Sequence, residues 1–312
     1  MDVSVVIVTR NTAALTGAAI RSVQESRGGL SAEVIIVDNG STDHTDTAVA
    51  REFPAAKYVR SEINLGFARA NNLGARDSRS EFVLLLNSDA RLQPNSLATA
   101  VAWLRCHPEC GIAGAQLLNP DASRQNSIAN FPTLATELLN KSLLRRLFPR
   151  RFPGKESHFT EPLPVETVIG AFMLIRGDLW RALGGFDERF FFFFEETDFC
   201  LRAHRHGATV VHLPQVEVWH EQGKSAKRVF VGARIEYWRS RYFYFRKNHG
   251  GRMLVILAVG LWLRLGVDWL VSGLLTLLTA AQNSRWRDKF RVQQGLLSWH
   301  LRGCPDTMGL PR

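Results

Sequence analysis

Short apolar runs alternate with segments of helical periodicity along the first hundred residues of this 312-residue chain. The runs are continuous, which is typical of strands buried on both faces, and they predict strands at residues 3–8, 34–37, 58–59 and 82–86. Helices are predicted between them at residues 15–23 and 44–52, and residues 64–76 are predicted to be a loop that runs into a helix. This alternation predicts βαβ units and an α/β fold with a mostly parallel sheet.

A second section begins after Pro94 and is less regular. Its pattern predicts helices at residues 95–106, 178–183 and 195–206, and strands at residues 111–117, 168–175, 210–213 and 216–219. Gly184-Gly185 and Gly207 end the two later helices. Residues 119–164 are rich in proline, asparagine and basic side chains, and the pattern assigns no element there.

The C-terminal region differs from the rest of the chain in its composition. Residues 234–247 are basic and aromatic, and residues 253–281 are apolar except for Arg264 and Asp268. Because a membrane span needs about 20 uninterrupted apolar residues, we expect helices lying in the membrane interface or a re-entrant hairpin. A span remains open, since the two charges are four residues apart and can neutralise each other. The alternative is a helical subdomain packed on the rest of the protein.

The composition fits a folded chain with one large domain and an appendage, since 46% of the residues are hydrophobic and 22% are charged. The formal charge is +10, and residues 221–312 alone contain 16 Lys and Arg against 5 Asp and Glu. The basic character therefore belongs to the C-terminal region. Because an apolar run follows the basic and aromatic one, an anionic membrane surface is the expected partner and nucleic acid is not.

The four cysteines, at positions 106, 110, 200 and 304, form no C-x-x-C pair and have no zinc-site spacing. Reduced, structural thiols and a cytosolic location are expected. The N-terminal apolar run VSVVIV is followed, not preceded, by positive charge, so we expect a strand and no signal peptide there.

Polar residues follow three of the predicted strands at the point where each strand ends. Thr9 to Asn11 follow the first strand, Asp38 ends the second, and Asn87-Ser88-Asp89 end the fourth. The carboxyl ends of parallel strands meet at one edge of a sheet, where α/β proteins bind their ligands. Asp89 is thus a candidate ligand for a divalent cation shared with substrate phosphates, although an Asp in this position also caps helices.

An acidic cluster stands directly after five consecutive phenylalanines, in the segment FFFFFEETDFCLR. Its carboxylates are Glu195, Glu196 and Asp198. Apolar surroundings raise the proton affinity of a carboxylate, so this cluster suits a general base or a cation site. The alternative is that these acids only complement the positive end of a helix that begins here.

Taken together, six segments resemble inverting family 2 glycosyltransferases, which have the GT-A nucleotide-diphospho-sugar transferase fold. The segments are VSVVIVTRN, IIVDNGSTD, NLGFARANNLG, FVLLLNSDA, GGFDERFFFFFEETDFCLR and WHEQGKS. The chain looks most like the bacterial, rhamnosyltransferase-like branch that builds cell-surface polysaccharide. A dinucleotide-dependent oxidoreductase is excluded because Thr9-Arg10-Asn11-Thr12 stands where such enzymes carry G-x-G-x-x-G.

The resemblance implies a domain organisation. Residues 1–225 would form the catalytic domain, with a Rossmann-like sheet. Residues 1–93 would be its nucleotide-binding half and residues 94–225 its acceptor and catalytic-base half. Residues 226–312 would form a basic and apolar helical region that associates with the membrane.

The resemblance also implies roles for individual residues. Thr9 and Asn11 would hold the nucleotide and Asp38 would read its pyrimidine base, while Arg69 would lie near the base or diphosphate. Asn87-Ser88-Asp89 matches the family's DxD metal motif, with Asn in place of the first Asp.

In that motif Asp89 would bind Mg²⁺ or Mn²⁺, and His220 would complete the metal or diphosphate site. Glu196 matches the catalytic base and Asp198 would support it, while Glu195 is the adjacent rival for the base.

The implied function is metal-dependent, inverting transfer of a sugar from a nucleoside diphosphate donor to a lipid-linked or saccharide acceptor. The first donor to expect is dTDP-rhamnose, and uridine diphosphate hexoses remain open. The implied location is the cytoplasmic face of the inner membrane, peripheral or shallowly inserted. The alternative is a catalytically inactive protein of the same fold that binds nucleotide sugars or acts as a scaffold.

Overall fold

The computed structural model describes residues 1–149, 159–221 and 230–312. The strands are β1 (Val3–Thr9), β2 (Ala32–Asn39), β3 (Lys57–Ser61), β4 (Phe82–Asn87), β5 (Ala90–Leu92), β6 (Cys110–Leu118), β7 (Ile128–Ala129), β8 (Leu163–Pro164), β9 (Thr167–Val168), β10 (Phe172–Arg176) and β11 (Thr209–His220). The helices are α1 (Ala13–Ser26), α2 (Thr45–Glu52), α3 (Gly66–Ala75), α4 (Ser96–Cys106), α5 (Leu134–Leu138), α6 (Lys141–Leu147), α7 (Gly177–Leu183), α8 (Glu195–Arg205), α9 (Phe230–Asn248), α10 (Gly251–Leu278) and α11 (Ser284–Leu301).

A central sheet organises the fold. Its strand order is β3-β2-β1-β4-β10-β6-β11-β5, with β8 also paired to β11. Among the described residues, six of its nine strands run in one direction, and β5, β8 and β10 run the other way. The mostly parallel α/β sheet predicted from the sequence is therefore confirmed.

Helices cover both faces of the sheet, as the continuous apolar strands require. In β1, Val5 and Ile7 face a core shared with α1 and α4, whereas Val6 faces a core shared with α3, α7 and α8. Alternate side chains of a strand point to opposite faces, so one short run such as VSVVIV contributes to both layers. This sandwich fixes the strand ends at one rim of the sheet.

Two strand predictions were wrong in detail. The strand predicted at 168–175 is divided into β9, which pairs with β7 in a small second sheet, and β10, which enters the central sheet. The turn between them contains Gly170. The strands predicted at 210–213 and 216–219 are one strand, β11, whose pairing with β6 shifts register between Leu213 and Glu217. Pro214 lies inside this irregularity, because proline cannot donate to a regular ladder.

The C-terminal helices α9, α10 and α11 share an apolar core with the phenylalanine run. Phe190 and Phe194 pack there with buried residues such as Tyr244, Leu261 and Trp299. This is the packed helical subdomain that the sequence left as an alternative. α10 runs without a break over 28 residues, so the re-entrant hairpin was wrong.

The outer face of α10 remains apolar and exposed. Leu263, Val267 and Leu270 each expose more than half of their surface. Within the described residues, α10 is the one helix long and apolar enough to cross a membrane, which by itself is weak evidence for a span. The boundary expected at 225/226 and the end of the WHEQGKS segment lie outside the described residues.

Candidate active site

The ends of β1, β2 and β4 meet at one rim, as the sequence predicts. Thr9 is in register with Asp38 of β2, and Val8 is in register with Asn87 of β4. At the other side of the rim, His220 at the end of β11 is in register with Ala90, directly after Asp89. The sheet therefore brings together side chains that are separated by up to two thirds of the chain.

The loops after β1 and β2 are locked together. The side chain of Asn11, which has a left-handed backbone conformation, accepts a hydrogen bond from the backbone N–H of Thr42 at 2.7 Å. The backbone N–H of Asn11 donates to Ser41 at 2.9 Å. Asn is one of the residues that tolerate positive φ, and here its carboxamide bridges the two loops. Asn11 thus shapes the rim through its neighbours.

Thr9 is buried, and its hydroxyl belongs to a network with Thr16 at 2.7 Å and Thr12 at 2.9 Å. Thr12 in turn donates to Ser88 at 3.1 Å. This network ties the start of α1 to the Asn87-Ser88-Asp89 turn. Thr9 and Ser88 therefore support the positions of the chain segments that carry them.

Asp38 is fully buried at the end of β2. Its Oδ1 accepts from the backbone N–H of Ser41 at 2.8 Å, and its Oδ2 accepts from the hydroxyl of Tyr58. Burial, followed by the hydrogen bond to Asp38, raises the pKa of Tyr58 well above its usual range. The phenol therefore stays protonated and holds the carboxylate in one orientation, which is a requirement for specific recognition of a ligand.

Asp89 and His220 face each other across the rim, with Oδ1 of Asp89 3.4 Å from Nε2 of His220. The other ring nitrogen, Nδ1, lies 3.0 Å from Oε1 of Gln125. The Gln125 amide nitrogen donates to three oxygens, among them the carbonyl of His220 at 2.6 Å. The amide orientation is thereby fixed, so Nδ1 of His220 donates to Oε1 of Gln125 and Nε2 faces Asp89.

These donors fit a divalent cation. A neutral imidazole nitrogen oriented by a hydrogen bond to its other nitrogen is a common metal ligand, and a carboxylate oxygen is another. The described residues contain no group of three or more His, Cys, Asp and Glu arranged to hold a metal. Asp89 and His220 alone form an incomplete shell, which is typical of a cation that shares its remaining positions with substrate phosphates and water.

Glu196 lies at the start of α8 and reaches the same rim. It lies beside Gly170, where an added Cβ would be 3.7 Å from Cβ of Glu196. The next carbonyl, that of Ala171, accepts from the backbone N–H of Asn87 at 3.1 Å. Glu196 Oε2 is buried and has no hydrogen-bond partner among the described residues. This carboxylate is available to a ligand.

Burial raises the pKa of both Glu195 and Glu196. The negative charge of Glu196 adds to the rise for Glu195, because a neighbouring carboxylate opposes ionisation. Oε2 of Glu195, like that of Glu196, is buried without a hydrogen-bond partner among the described residues. Glu195 therefore stays a rival to Glu196 for the base.

Asp198 is placed differently. It is fully buried and contacts the side chains of Arg202 at 2.9 Å, Lys247 at 2.7 Å and Asn248 at 3.2 Å. Two cations from α8 and α9 neutralise it, so it joins the active-site helix to the C-terminal helices. Its observed contacts are those of a positioning residue.

Arg69 on α3 lies at the surface. Its Nε is 3.3 Å from Oε2 of Glu188, and both side chains are about half exposed. Arg10, in the loop after β1, has a buried Nε with no partner among the described residues. Of these two cations near the rim, Arg10 is the one with an unused buried donor.

The phenylalanine run forms the turn that delivers Glu195 and Glu196. Phe193 and Phe194 both have positive φ, of 72° and 70°, which is costly for a side chain with a Cβ. The ring of Tyr237 on α9 packs against both of them, with centroids 5.5 and 5.1 Å away. The C-terminal helices therefore hold this strained turn in place.

Sequence reasoning missed two residues that orient the site, Gln125 and Tyr58. Gln125 lies in the unassigned stretch 119–164, where no motif marked it. Tyr58 was noticed only as the start of a weak strand, although its register with Ile36 places it beside the end of β2. The signal available for Tyr58 was its position on the strand next to the one that carries the buried Asp38.

Comparison with known proteins gives the family. The family model described as "Glycosyl transferase family 2" matches residues 4–183. N-acetylglucosaminyl-diphospho-decaprenol L-rhamnosyltransferase of Mycobacterium tuberculosis (strain CDC 1551 / Oshkosh) is 28% identical over 260 residues, covering 78% of this chain and 81% of the relative. The dTDP-rhamnosyl transferase RfbF of Shigella flexneri is 24% identical over 237 residues, covering 72% of this chain and 74% of the relative.

The fold has solved neighbours. The mannosyltransferase PcManGT from Pyrobaculum calidifontis, in complex with GDP-Man and Mn²⁺, gives a TM-score of 0.59 at 18% identity, covering 97% of this chain and 87% of that chain. Likeness at this identity shows the fold, which is the GT-A fold. The two curated relatives confirm the rhamnosyltransferase-like branch. Since the family model spans more than half of the chain, this protein belongs to glycosyl transferase family 2 and is a glycosyltransferase.

Proposed function

We propose that this enzyme transfers a sugar, with inversion, from a nucleoside diphosphate donor to a lipid-linked or saccharide acceptor in cell-surface polysaccharide synthesis. One observation carries the proposal. Glu196 presents a buried Oε2 without a hydrogen-bond partner among the described residues, and it lies beside Gly170, next to the strand end that carries Asn87 to Asp89. This arrangement supports a base placed beside the edge that would bind the diphosphate.

The chemistry assigns the proton to Glu196. Its carboxylate takes the proton of the acceptor hydroxyl while that oxygen attacks the anomeric carbon of the donor sugar. The bond from the anomeric carbon to the diphosphate oxygen breaks, and its electron pair leaves with the nucleoside diphosphate. The pKa of Glu196 is raised by burial, which strengthens the carboxylate as a base.

The donor side would be held by the rim. Asp38, oriented by Tyr58, would recognise the pyrimidine base, and Arg10 would direct its unpartnered guanidinium nitrogen to the diphosphate. Asp89 and His220 would hold a divalent cation, Mg²⁺ or Mn²⁺. When bound, that cation neutralises the charge that develops on the leaving diphosphate. Asn87 and Ser88 would shape the turn that carries Asp89.

The donor sugar proposed first is rhamnose, carried on thymidine diphosphate. It is supported by the names of two relatives, a dTDP-rhamnosyl transferase and an L-rhamnosyltransferase that acts on a diphospho-decaprenol. The second name also supports a lipid-linked acceptor. The exposed apolar face of α10 suits the cytoplasmic surface of the inner membrane, where the enzyme would be peripheral or shallowly inserted.

The test combines a donor screen with one isosteric variant. Candidate donors are incubated with the enzyme, Mg²⁺ or Mn²⁺ and a membrane lipid extract, and release of nucleoside diphosphate is measured. Glu196→Gln should lower transfer by about 10²- to 10⁴-fold, the usual contribution of a general base, while donor affinity measured by calorimetry stays unchanged. Glu25→Gln, on the exposed face of α1, is the matched control.

Two results would contradict the proposal. Full turnover by Glu196→Gln would remove the base assignment. Failure of the wild-type enzyme to release nucleoside diphosphate from any donor, with donor still bound, would favour the inactive binding protein of the same fold.

A further inference from the structure

A cavity of about 630 Å³ lies between α5, α9, α10 and α11, on the C-terminal side of the phenylalanine turn. Five basic and three acidic side chains line it, a net formal charge of +2. The basic ones come from three helices, α9, α10 and α11: Arg234, Arg241, Arg264, Arg285 and Lys289. The residues that line this cavity are different from those of the rim that carries Asp89 and Glu196.

Arg241 is the buried member of this set, with 8% of its side chain exposed. Its Nη1 lies 3.3 Å from Oε2 of Glu137, whose side chain is also buried. Its Nε and Nη2 have no hydrogen-bond partner among the described residues. A buried donor without a partner costs about 1–3 kcal/mol, more for a charged group, so these nitrogens favour an anionic ligand in the cavity.

The aromatic neighbours of Arg241 hold its guanidinium in place. The guanidinium lies 4.5 Å from the ring of Trp238 and 5.5 Å from the ring of Tyr237. Stacking of this kind preorganises arginine for the bidentate recognition of phosphate. The cavity therefore has a rigid anion-binding group at its base.

The cavity also explains the two charges that interrupt the apolar run of α10. Arg264 and Asp268 both line it, and Asp268 pairs with Lys289 of α11 at 3.0 Å. Leu263 and Val267, each directly before one of these charged residues, are 69% and 61% exposed. The face of α10 toward the cavity thus carries two charges, while the adjacent face is apolar and open.

Tyr237 connects the cavity to the active site. It lines the cavity, and its ring packs against Phe193 and Phe194, directly before Glu195. Burial, and then the charges of Glu137 and Glu196 among others, raise the pKa of Tyr237 to about 12. Tyr237 therefore lies close enough to Glu137 in the cavity and to Glu196 at the rim for both charges to raise its pKa.

We propose that this cavity binds the diphosphate of a lipid carrier, with the lipid chain on the outer face of α10 and the carried sugar directed past Tyr237 to Glu196. This inference rests on the proposed function, since it locates the acceptor of that reaction. Arg241 would donate its free nitrogens to the diphosphate, and Arg234 and Arg285 would complete the cationic wall.

The experiment measures binding of farnesyl diphosphate in neutral detergent micelles by calorimetry, with full-length protein. Arg241 is a poor first choice for substitution because its loss would leave Glu137 charged and buried. Arg234 and Arg285 are exposed, so the double variant Arg234→Gln/Arg285→Gln should fold normally. We expect it to bind farnesyl diphosphate about 10- to 100-fold more weakly than the wild type.

The matched control is Arg246→Gln/Arg291→Gln, which removes two exposed arginines from the same two helices, α9 and α11, away from the cavity lining. We expect unchanged affinity. Equal weakening in both double variants would mean non-specific attraction to a basic surface and would overturn the site.

Two further arms identify the source of the anion. Saturating uridine or thymidine diphosphate should leave farnesyl diphosphate binding intact, and displacement would place the probe in the donor site and overturn the proposal. Inorganic pyrophosphate should bind at least tenfold more weakly, and equal affinity would overturn the lipid assignment. Binding is also measured on Glu196→Gln, which should bind like the wild type whether or not Glu196 proves to be the base.

Discussion

Gln125 determines which nitrogen of His220 faces the rim. Its Oε1 lies 3.0 Å from Nδ1 of His220, while its amide nitrogen donates to the His220 carbonyl and to two other oxygens. The ring is thereby held with Nε2 directed at Asp89. Such outer hydrogen bonds orient a metal ligand and increase its basicity.

Replacing Gln125 should therefore weaken metal binding without touching the metal donors. In Gln125→Ala, we expect the Mn²⁺ concentration for half-maximal release of nucleoside diphosphate to rise about 10- to 100-fold. Chelation with EDTA should abolish release in both proteins, and added Mn²⁺ should restore it. Gln24→Ala, on the exposed face of α1, is the control. An unchanged Mn²⁺ requirement in Gln125→Ala would refute the orienting role.

Glu195 makes stability depend on pH in a direction opposite to that of most carboxylates. Burial, reinforced by the charge of Glu196, raises its pKa well above the value of 4.5 that it has in the unfolded chain. Below pH 4.5 the group is protonated in both states, and its stabilising contribution is complete. Between pH 4.5 and the pKa of Glu195 in the folded protein, only the folded state holds the proton. The stabilising contribution therefore decreases over this range, and it is lost once the pH has risen through the folded-state pKa.

Glu195→Gln should therefore raise the melting temperature at about pH 8 and have little effect at about pH 4. Thermal unfolding of both proteins across this range measures the difference, and Glu33→Gln, at the start of β2, serves as a carboxylate control outside the cluster. A stabilisation that is independent of pH would argue that packing, not protonation, is responsible.

Asp198 should prove structural, because it is buried between Arg202 and Lys247. Asp198→Asn leaves Arg202 without its carboxylate and Lys247 with Asp187 alone, and we expect the free energy of unfolding to fall by about 3–5 kcal/mol. The turnover number should fall as α8 shifts, while the acidic limb of the pH–rate profile, which the proposed base Glu196 would set, stays in place. Asp77→Asn is the exposed control. A displaced acidic limb in Asp198→Asn would instead assign Asp198 a direct part in proton transfer.

The strand ends were predictable because each carries its own signal. Runs such as that of β4 are apolar over their whole length, so the first polar residues after them, Asn87 to Asp89, mark the rim without further information. Glu196 was predictable for a similar reason, since its acidic cluster stands against an apolar run.

The pairings across the site were not predictable from local patterns. Gln125 and His220 are 95 residues apart and share no motif. Arg264 and Asp268 suggested a local pair, but they are 3.9 Å apart at the limit of an ion pair, and Lys289 of the next helix approaches Asp268 more closely. Side chains that meet only in the folded protein produce no periodic pattern in the sequence.

Gly66 links the nucleotide-binding half to the phenylalanine turn, and its replacement should test that link. Its φ is +80°, and a Cβ at this position would lie 2.3 Å from the carbonyl oxygen of Phe191. That carbonyl accepts from the backbone N–H of Phe67 at 2.7 Å, so the contact cannot simply open. Gly66→Ala must displace either the start of α3 or the turn that carries Glu196.

We expect Gly66→Ala to lower the free energy of unfolding by about 1–3 kcal/mol from backbone strain alone. Turnover should fall by about 10²-fold, since a shift of about 1 Å in a catalytic group has that effect. Gly29→Ala is the matched control, because a Cβ there meets no atom within 4 Å. Chemical denaturation and release of nucleoside diphosphate are measured on both variants. If Gly66→Ala lost stability but kept full turnover, the turn would reach its position independently of α3.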